Sequence, residues 1–287
     1  MTKENFNLGR FRFDGHVLIG RPDGDYIEVV CEGDELPRAL AGEVRASSSN
    51  RRIPAAAATM LPPLDPAARV FAIAINYQAH GDESKAPPPA RPLIFYKAPS
   101  NFVAHNGILN PNKKITSKFD YEGEVAVVIG KTCKDATIDN ALSFVAGVCA
   151  LNDGSARDIG KVALGKSGPE AKYWPDWTAG KALDGASTLG PTISCDPDIL
   201  SALRDRTLTI TTRLNGEVVQ HGSMKEMIFS TEQIIATLSS YMTLLPGDVI
   251  ATGTPAGVGA ARNRFLETGD ALEFQVGGLE ALCVKVG

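Results

Sequence analysis

Two acidic side chains stand one residue apart at the start of an apolar run. Glu122 and Glu124 precede residues 125–129, whose sequence Val-Ala-Val-Val-Ile predicts a buried strand ending at Gly130. Because side chains alternate between the faces of a strand, both carboxylates point to the same side. Two carboxylates held together beside apolar residues repel each other, and neither stays ionised without a compensating cation. The pair predicts a divalent-metal site or, in the alternative, two exposed acids at a solvated strand end.

A third acid, Asp153, follows a second apolar run at residues 148–151. Three carboxylates supplied by separate strand ends make a hard oxygen site. Such a site suits Mg²⁺ or Mn²⁺, with open positions for water or substrate. We therefore expect Glu122, Glu124 and Asp153 to bind one divalent ion.

A candidate general base lies elsewhere in the chain. His80 and Glu83 come directly after a predicted strand at residues 69–75, and loops at strand ends often carry chemistry. Their spacing of three places both side chains on one face of a helical turn. A carboxylate beside an imidazole orients the ring and raises its basicity, which suits a general base. An exposed helical His–Glu pair without a catalytic role is the alternative.

Composition excludes several functional classes. The 287 residues carry a formal net charge of -4 and no basic stripe, so no nucleic-acid partner is expected. Residues 1–12 are too polar for a signal peptide, and no apolar run is long enough to span a bilayer. The five cysteines form no CxxC pair, which favours free thiols in a reducing compartment. We expect a cytoplasmic protein with no membrane partner.

Turn and strand signals predict a mixed α/β, β-rich fold in two domains, residues 1–65 and 66–287. Short strands separated by Asp-Gly turns make the first domain a small β-rich module. Residues 55–66, rich in Ala and Pro, are interpreted as a linker. In the second domain, residues 139–148 are interpreted as an amphipathic helix, and a capping box of Ser230 with Gln233 predicts the start of another.

Several motifs occur together in a recognisable order. They are Ile75-Asn76-Tyr77 with His80 and Glu83, Phe95-x-Lys97, Tyr121-Glu122-Gly123-Glu124, Asn152-Asp153-x-Ser155-Ala156-Arg157-Asp158, Gly180-Lys181, and Gly253-Thr254-Pro255-Ala256-Gly257. From about residue 70 to the end, the chain resembles the fumarylacetoacetate hydrolase family. The resemblance implies a β-roll or sandwich core with a smaller N-terminal domain, and usually a homodimer.

The resemblance also implies roles for individual residues. Glu122, Glu124 and Asp153 match the ligands of Mg²⁺, Mn²⁺ or Ca²⁺, and Lys181 matches the active-site lysine. His80 and Glu83 match the water-activating pair of acylpyruvate-hydrolysing members, and Thr254 matches a contact to the substrate carboxylate. Tyr77, Arg157 and Gly253 are expected near the substrate, although bracing of the metal loop by ion pairing is the favoured role of Arg157.

Family members act on 2-keto acids or 1,3-diketones. The expected activity is metal-dependent hydrolysis of a C–C bond in a 2,4-diketo acid, either acylpyruvate-like or a 2,4-diketo-3-deoxy sugar acid. Its products would be pyruvate and a carboxylic acid. Two alternatives stay open: decarboxylation or isomerisation of a 2-keto acid such as oxaloacetate on the same site, and a non-enzymatic metal-binding scaffold.

The chain departs from the family pattern at two glycines, Gly154 and Gly160, which replace valine and glutamine. A substrate hydrogen bond is therefore expected to be missing at Gly160. The segment 160–181 is longer than in compact members and is expected to line the substrate pocket, with Trp174 and Trp177 either stacking on substrate or packing.

Overall fold

The computed structural model of the protein describes residues 6–44, 51–164 and 172–287. Within them strands predominate and helices are short, which confirms the predicted β-rich fold class. The central part of segment 160–181, residues 165–171, lies outside the described residues.

The N-terminal part of the described chain is a meander of short strands. Its elements are β1 (Asn7–Phe13), β2 (His16–Asp23), β3 (Tyr26–Glu32), helix α1 (Leu36–Leu40), β4 (Arg52–Pro54), a 3-10 turn (Ala55–Ala57) and β5 (Thr59–Leu61). Strand β1 pairs antiparallel with both β2 and β5. The linker interpretation is therefore wrong for residues 59–61, because their backbone groups pair in the sheet. The domain boundary near residue 65 stays a prediction.

A long sheet carries the candidate site. Its further strands are β6 (Val70–Ala74), β7 (Leu93–Lys97), β8 (Phe102–Val103), β11 (Gly123–Ile129), β12 (Val145–Asn152), β16 (Ser187–Ser194) and β19 (Val249–Ala251). The hydrogen-bonded order is β4-β3-β2-β1-β16-β12-β11-β19-β6-β7, with β5 on β1 and β8 on β16. Strand β1 pairs with β16 through Asn7 and Leu8, so the N-terminal meander continues the long sheet.

Strand β11 is buried on both faces, which explains its unbroken apolar sequence. Val125 and Val127 point into one hydrophobic core, whereas Ala126 and Val128 point into a second core on the opposite face. Glu124 continues the alternation of the second face. The acids therefore stand where a doubly buried strand begins.

The remaining elements complete the first core and the walls of the site. The second sheet contains β9 (Ile108–Leu109), β17 (Thr209–Leu214), β18 (Glu217–Ser223), β20 (Ala271–Val276) and β21 (Leu282–Val286) in the order β18-β17-β20-β21-β9. Two small pairs are β10 (Phe119–Asp120) with β13 (Ser155–Ala156), and β14 (Lys161–Leu164) with β15 (Lys172–Pro175). The other helices are α2 (Gln78–Glu83), α3 (Trp177–Lys181), α4 (Pro197–Arg204), α5 (Thr231–Tyr241) and α6 (Gly259–Arg262), and further 3-10 turns are Pro99–Asn101, Ala141–Phe144 and Met224–Glu226.

Local signals located some elements correctly and misassigned one. Helix α5 starts after Ser230, whose hydroxyl accepts the Gln233 N–H as the capping box predicts. The helix predicted over residues 139–148 is wrong: a 3-10 turn leads into β12, which pairs with β11 and β16. A strand apolar on both faces has no clear period, so its sequence does not separate it from a buried helix. None of the helices in the described part of the chain is long and apolar enough to cross a membrane.

Candidate metal and active site

The three predicted ligands meet at the paired ends of β11 and β12. The antiparallel register places Gly123 opposite Asn152, so Glu122 and Asp153 face each other one residue further on. The Asp153 N–H donates to the Glu122 carbonyl at 2.8 Å, which fixes that juxtaposition. One oxygen from each of Glu122, Glu124 and Asp153 lies within 4.8 Å of the others, and all three residues are buried. The structure thus brings together the three acids that the sequence placed on separate strand ends.

Cations surround two of the three carboxylates. Lys181 Nζ lies 2.6 Å from Glu122 Oε2 and 2.8 Å from Asp153 Oδ2. Arg157 joins Asp120 and Glu122, with contacts of 2.8 and 2.7 Å. Burial opposes ionisation of Glu122, but the charges of Lys181 and Arg157 outweigh it and hold its pKa below the usual range. Glu122 is therefore held as a carboxylate.

Glu124 lacks such compensation. Its Oε2 accepts the Gly253 N–H at 2.7 Å, but no lysine or arginine among the described residues lies within 4.0 Å of its carboxylate. Burial, and then the charges of Asp153 and Glu122, raise the pKa of Glu124 well above its ordinary value. A buried all-carboxylate donor set with one uncompensated acid fits a hard divalent cation such as Mg²⁺ or Mn²⁺.

The predicted base pair forms on helix α2. His80 Nδ1 lies 2.8 Å from Glu83 Oε1, and Glu83 Oε2 accepts the Gly257 N–H at 2.9 Å. The glycine-rich loop 253–259 thus fixes the carboxylate that orients the imidazole. Because Nδ1 faces a carboxylate, we assign it the proton of the neutral ring, which leaves Nε2 as the acceptor.

A strained backbone turn directs the chain from β6 into α2. Ile75 has φ of +53°, a left-handed conformation that is costly for a β-branched residue. The buried amide of Asn76 holds this turn: Nδ2 donates to Thr252 O at 2.7 Å, and Oδ1 accepts the Phe229 N–H at 2.8 Å. The strained residue lines the cavity described below, just before the helix that carries His80.

The three acids, the His–Glu pair and the two cations beside the acids line one cavity of about 550 Å³. Its lining includes Glu122, Glu124, Asp153, Lys181, His80, Glu83, Arg157 and Thr254, together with Gly160, Lys161 and Trp177 from the 160–181 segment. Trp177 stacks on Phe95 with ring centroids 5.0 Å apart, so it packs as well as lines the cavity. Trp174 is 64% exposed and is not among the residues that line the cavity in the described part of the chain.

Thr254 lies at the cavity, but its hydroxyl is already engaged. It donates to Gly123 O at 2.9 Å and accepts from Gln220 Nε2 at 2.8 Å. The buried Gln220 also accepts the Gly123 N–H at 3.0 Å, so it ties the acid-bearing strand to the glycine-rich loop. A contact from this hydroxyl to a substrate carboxylate needs rearrangement of these bonds and stays a prediction.

Two other predicted substrate contacts sit behind the cavity wall. The Tyr77 side chain is 1% exposed within the first core, and its hydroxyl has no hydrogen-bond partner among the described residues. Burial raises its pKa, with further increase from the charge of Glu124. Gly253 directs its N–H at Glu124. Substrate contacts from Tyr77 and Gly253, and from Arg157 beside its ion pairs, stay predictions.

Sequence reasoning assigned no role to three residues that support the site. Lys97 contacts Asp153, and Gln220 joins strand β11 to the glycine-rich loop. Asp120 accepts the Gly259 N–H at 2.7 Å and pairs with Arg157. Asp120 and Lys97 stand within or beside recognisable motifs, so their positions carried a signal. Gln220 lies in strand β18, far along the chain, and no local sequence pattern indicates its role.

Gly154, one of the two departures from the family pattern, has a structural cause. A Cβ at Gly154 would lie 1.8 Å from the Ala186 carbonyl oxygen, so the backbone of this chain admits only glycine there. A Cβ at Gly160 would meet its nearest atom, Gly180 Cα, at 3.5 Å, an ordinary contact. Gly160 lines the cavity, and its backbone position accepts a Cβ without a close contact.

The fold and site define a class of protein: a β-rich chain whose cavity combines clustered carboxylates, a buried lysine and a separate His–Glu pair, as in a metal-dependent enzyme. The family model for the fumarylacetoacetate (FAA) hydrolase C-terminal region matches residues 69–287. The chain belongs to the fumarylacetoacetate hydrolase family, which confirms the resemblance seen in its motifs, and members of this family are enzymes.

Individual relatives carry more specific names. The chain is 37% identical over 252 residues to a fumarylacetoacetate hydrolase domain-containing protein 2 homolog of Dictyostelium discoideum, covering 83% of this chain and 77% of that protein. It is 34% identical over 281 residues to oxaloacetate tautomerase YisK of Bacillus subtilis, covering 92% and 87% respectively. The crystal structure of 2-hydroxyhepta-2,4-diene-1,7-dioate isomerase from Mycobacterium marinum aligns with a TM-score of 0.76, 30% identity and 98% of both chains.

Proposed function

We propose that this protein is a divalent-metal-dependent enzyme that interconverts the keto and enol forms of a short 2-keto diacid of the oxaloacetate type. The observation that carries the proposal is a single cavity in which a carboxylate triad and Lys181 stand with a separate His80–Glu83 base. The names of an oxaloacetate tautomerase and a diacid isomerase among the relatives support it.

The chemistry needs polarisation of a keto group and a movable proton. Glu122, Glu124 and Asp153 would hold the cation, which when bound supplies Lewis-acid polarisation of a 2-keto acid. Lys181, whose pKa the charges of Asp153 and Glu122 keep raised against the effect of burial, adds positive charge beside the developing enolate. His80 Nε2 takes a proton from the carbon next to the keto group and returns it to the enol oxygen. One C–H bond breaks and one O–H bond forms, so no water is consumed.

A free cation in the cavity favours a diacid over a monoacid. The cavity-lining Lys181 and Arg157 are paired with acids, and His80 faces Glu83. Lys161 lines the same cavity, and no carboxylate among the described residues lies within 4.0 Å of its ammonium. Its charge suits the distal carboxylate of a 2-keto diacid.

Hydrolysis of a C–C bond in a 2,4-diketo acid is the second candidate. The geometry that favours it is the same His80–Glu83 pair, because an oriented imidazole can also deprotonate water. This is the activity expected first from the sequence. The names of the relatives favour the isomerising alternative.

One product analysis separates the candidates. The protein is incubated with Mg²⁺ or Mn²⁺, with and without EDTA, and oxaloacetate, acetylpyruvate, fumarylpyruvate and a diketo-deoxy sugar acid are tested in turn. EDTA-sensitive acceleration of oxaloacetate tautomerisation without pyruvate release supports the proposal. Pyruvate with carbon dioxide from oxaloacetate identifies a decarboxylase, and pyruvate with a second carboxylic acid from a diketo acid identifies the hydrolase. No turnover of any substrate contradicts the enzymatic proposal and favours the metal-binding scaffold.

Three further expectations stay predictions. The preferred ion among Mg²⁺, Mn²⁺ and Ca²⁺ is read from activity after metal replacement. A homodimer is checked by light scattering of the purified protein. Cytoplasmic location is checked by cell fractionation.

A further inference from the structure

Lys97 is a buried cation that the proposed reaction does not use. It ends strand β7, and its side chain is 0% exposed. In the described part of the chain, Lys97 is not among the residues that line the cavity. Burial lowers its pKa, so a charge at this position is costly unless it is tightly paired.

The contacts of Lys97 reach both the segment that carries Asp153 and the end of helix α3. Its Nζ lies 2.6 Å from Asp153 Oδ1 and donates to the main-chain oxygen of Lys181, with a longer contact of 3.4 Å to Gly154 O. The other oxygen of Asp153, Oδ2, shares Lys181 Nζ with Glu122 Oε2. The two oxygens of the Asp153 carboxylate therefore contact two different lysines.

We propose that Lys97 is a positioning residue for the cation site. By pairing with Oδ1, it fixes the Asp153 carboxylate so that Oδ2 stays beside Glu122. Its bond to the Lys181 carbonyl fixes the end of helix α3 relative to the same carboxylate. A lysine ammonium has three donors. Here it donates to two main-chain oxygens, those of Lys181 and Gly154, and it forms an ion pair with Asp153 Oδ1. Partners that orient a ligand in this way typically change metal affinity tenfold to 100-fold when they are removed.

A purely compensating charge makes the opposite prediction. Removal of a positive charge next to Asp153 reduces repulsion toward an incoming cation, so a compensating lysine weakens metal binding and its loss strengthens it. Loss of a positioning lysine instead frees the carboxylate to rotate and weakens binding. The sign of the change in affinity therefore separates the two roles.

The experiment measures Mn²⁺ binding to the purified, EDTA-treated full chain without substrate, from the electron paramagnetic resonance signal of free Mn²⁺. Lys97→Met is expected to weaken binding about tenfold to 100-fold. Unchanged or tighter binding overturns the proposal. Lys181→Met is the matched control: it removes an ammonium that competes for Glu122 and Asp153, so binding should become tighter.

A second variant guards against misfolding. Lys97→Ala leaves a space that ethylammonium can fill, and thermal unfolding in EDTA reports whether each variant is folded. Recovery of Mn²⁺ affinity on addition of ethylammonium supports the positioning role. A folded Lys97→Ala protein whose affinity is weak and does not respond to ethylammonium overturns it.

Discussion

Replacement of Glu83 by glutamine tests the assignment of the base most directly. In the structure both Glu83 oxygens accept a hydrogen bond, one from His80 Nδ1 and the other from the Gly257 N–H. Glutamine has the same shape but only one acceptor oxygen. Because the Gly257 N–H is always a donor, it takes that oxygen, and the amide NH₂ then faces His80.

The consequence is a change of tautomer. With an NH₂ group opposite Nδ1, the ring must accept a hydrogen bond there and carry its proton on Nε2, the atom that is needed as the base. General-base catalysis contributes about 10²–10⁴-fold, and an amide in place of the orienting carboxylate of a serine protease costs about 10⁴ for this reason. We expect kcat of Glu83→Gln to fall by about 10²–10⁴, or about 2.7–5.4 kcal/mol. KM should change little.

The assay follows the ultraviolet absorbance of the enol under saturating Mg²⁺. Asp82→Asn, an acid-to-amide change at an exposed position of the same helix, is the matched control and should keep wild-type kcat. If Glu83→Gln retains kcat within about threefold, the imidazole is not the base and the reasoning fails. If Glu83→Gln still decarboxylates oxaloacetate but no longer tautomerises it, the His80–Glu83 pair is needed for proton transfer and not for decarboxylation.

Three other predictions follow from the geometry. Glu124→Gln should unfold at a higher temperature than the wild type in EDTA at pH 8, because the raised folded-state pKa of Glu124 makes the metal-free protein lose stability as the pH rises from the unfolded toward the folded pKa. Its unfolding temperature should not respond to Mg²⁺; a metal-dependent increase would contradict the ligand assignment. Gly154→Ala should lower the unfolding temperature strongly or prevent folding, because its Cβ would overlap the Ala186 carbonyl, whereas Gly160→Ala should be tolerated; equal stability of the two in a thermal melt would refute this. Lys161→Met should raise KM for oxaloacetate about tenfold, as expected for the loss of one charge-assisted bond to the distal carboxylate. KM for 2-ketobutyrate, which has no distal carboxylate, should not change. Equal effects on the two substrates would show that Lys161 does not bind the distal carboxylate.

The chemistry of the candidate site was visible in the sequence because its donors follow local rules. Strand alternation places Glu122 and Glu124 on one side, and helical spacing places His80 and Glu83 on one face; both relations hold in the structure. The capping box at Ser230 likewise depends on neighbouring residues alone. Side chains a few residues apart have their relative positions fixed by backbone geometry, so sequence suffices for them.

Tertiary structure alone decided which of these local units meet. The register of β11 with β12 brings Asp153 opposite Glu122, and the path of the chain carries Lys97, Lys181 and Gln220 to the same place from distant segments. The same long-range pairing turned residues 145–148 from a predicted helix into the start of a central strand. Strand pairing and burial depend on partners far away in sequence. They therefore decided which residues support the acids, the hydrogen bond from Gly257 that holds Glu83 beside the imidazole, and the absence of an ion pair at Glu124 among the described residues.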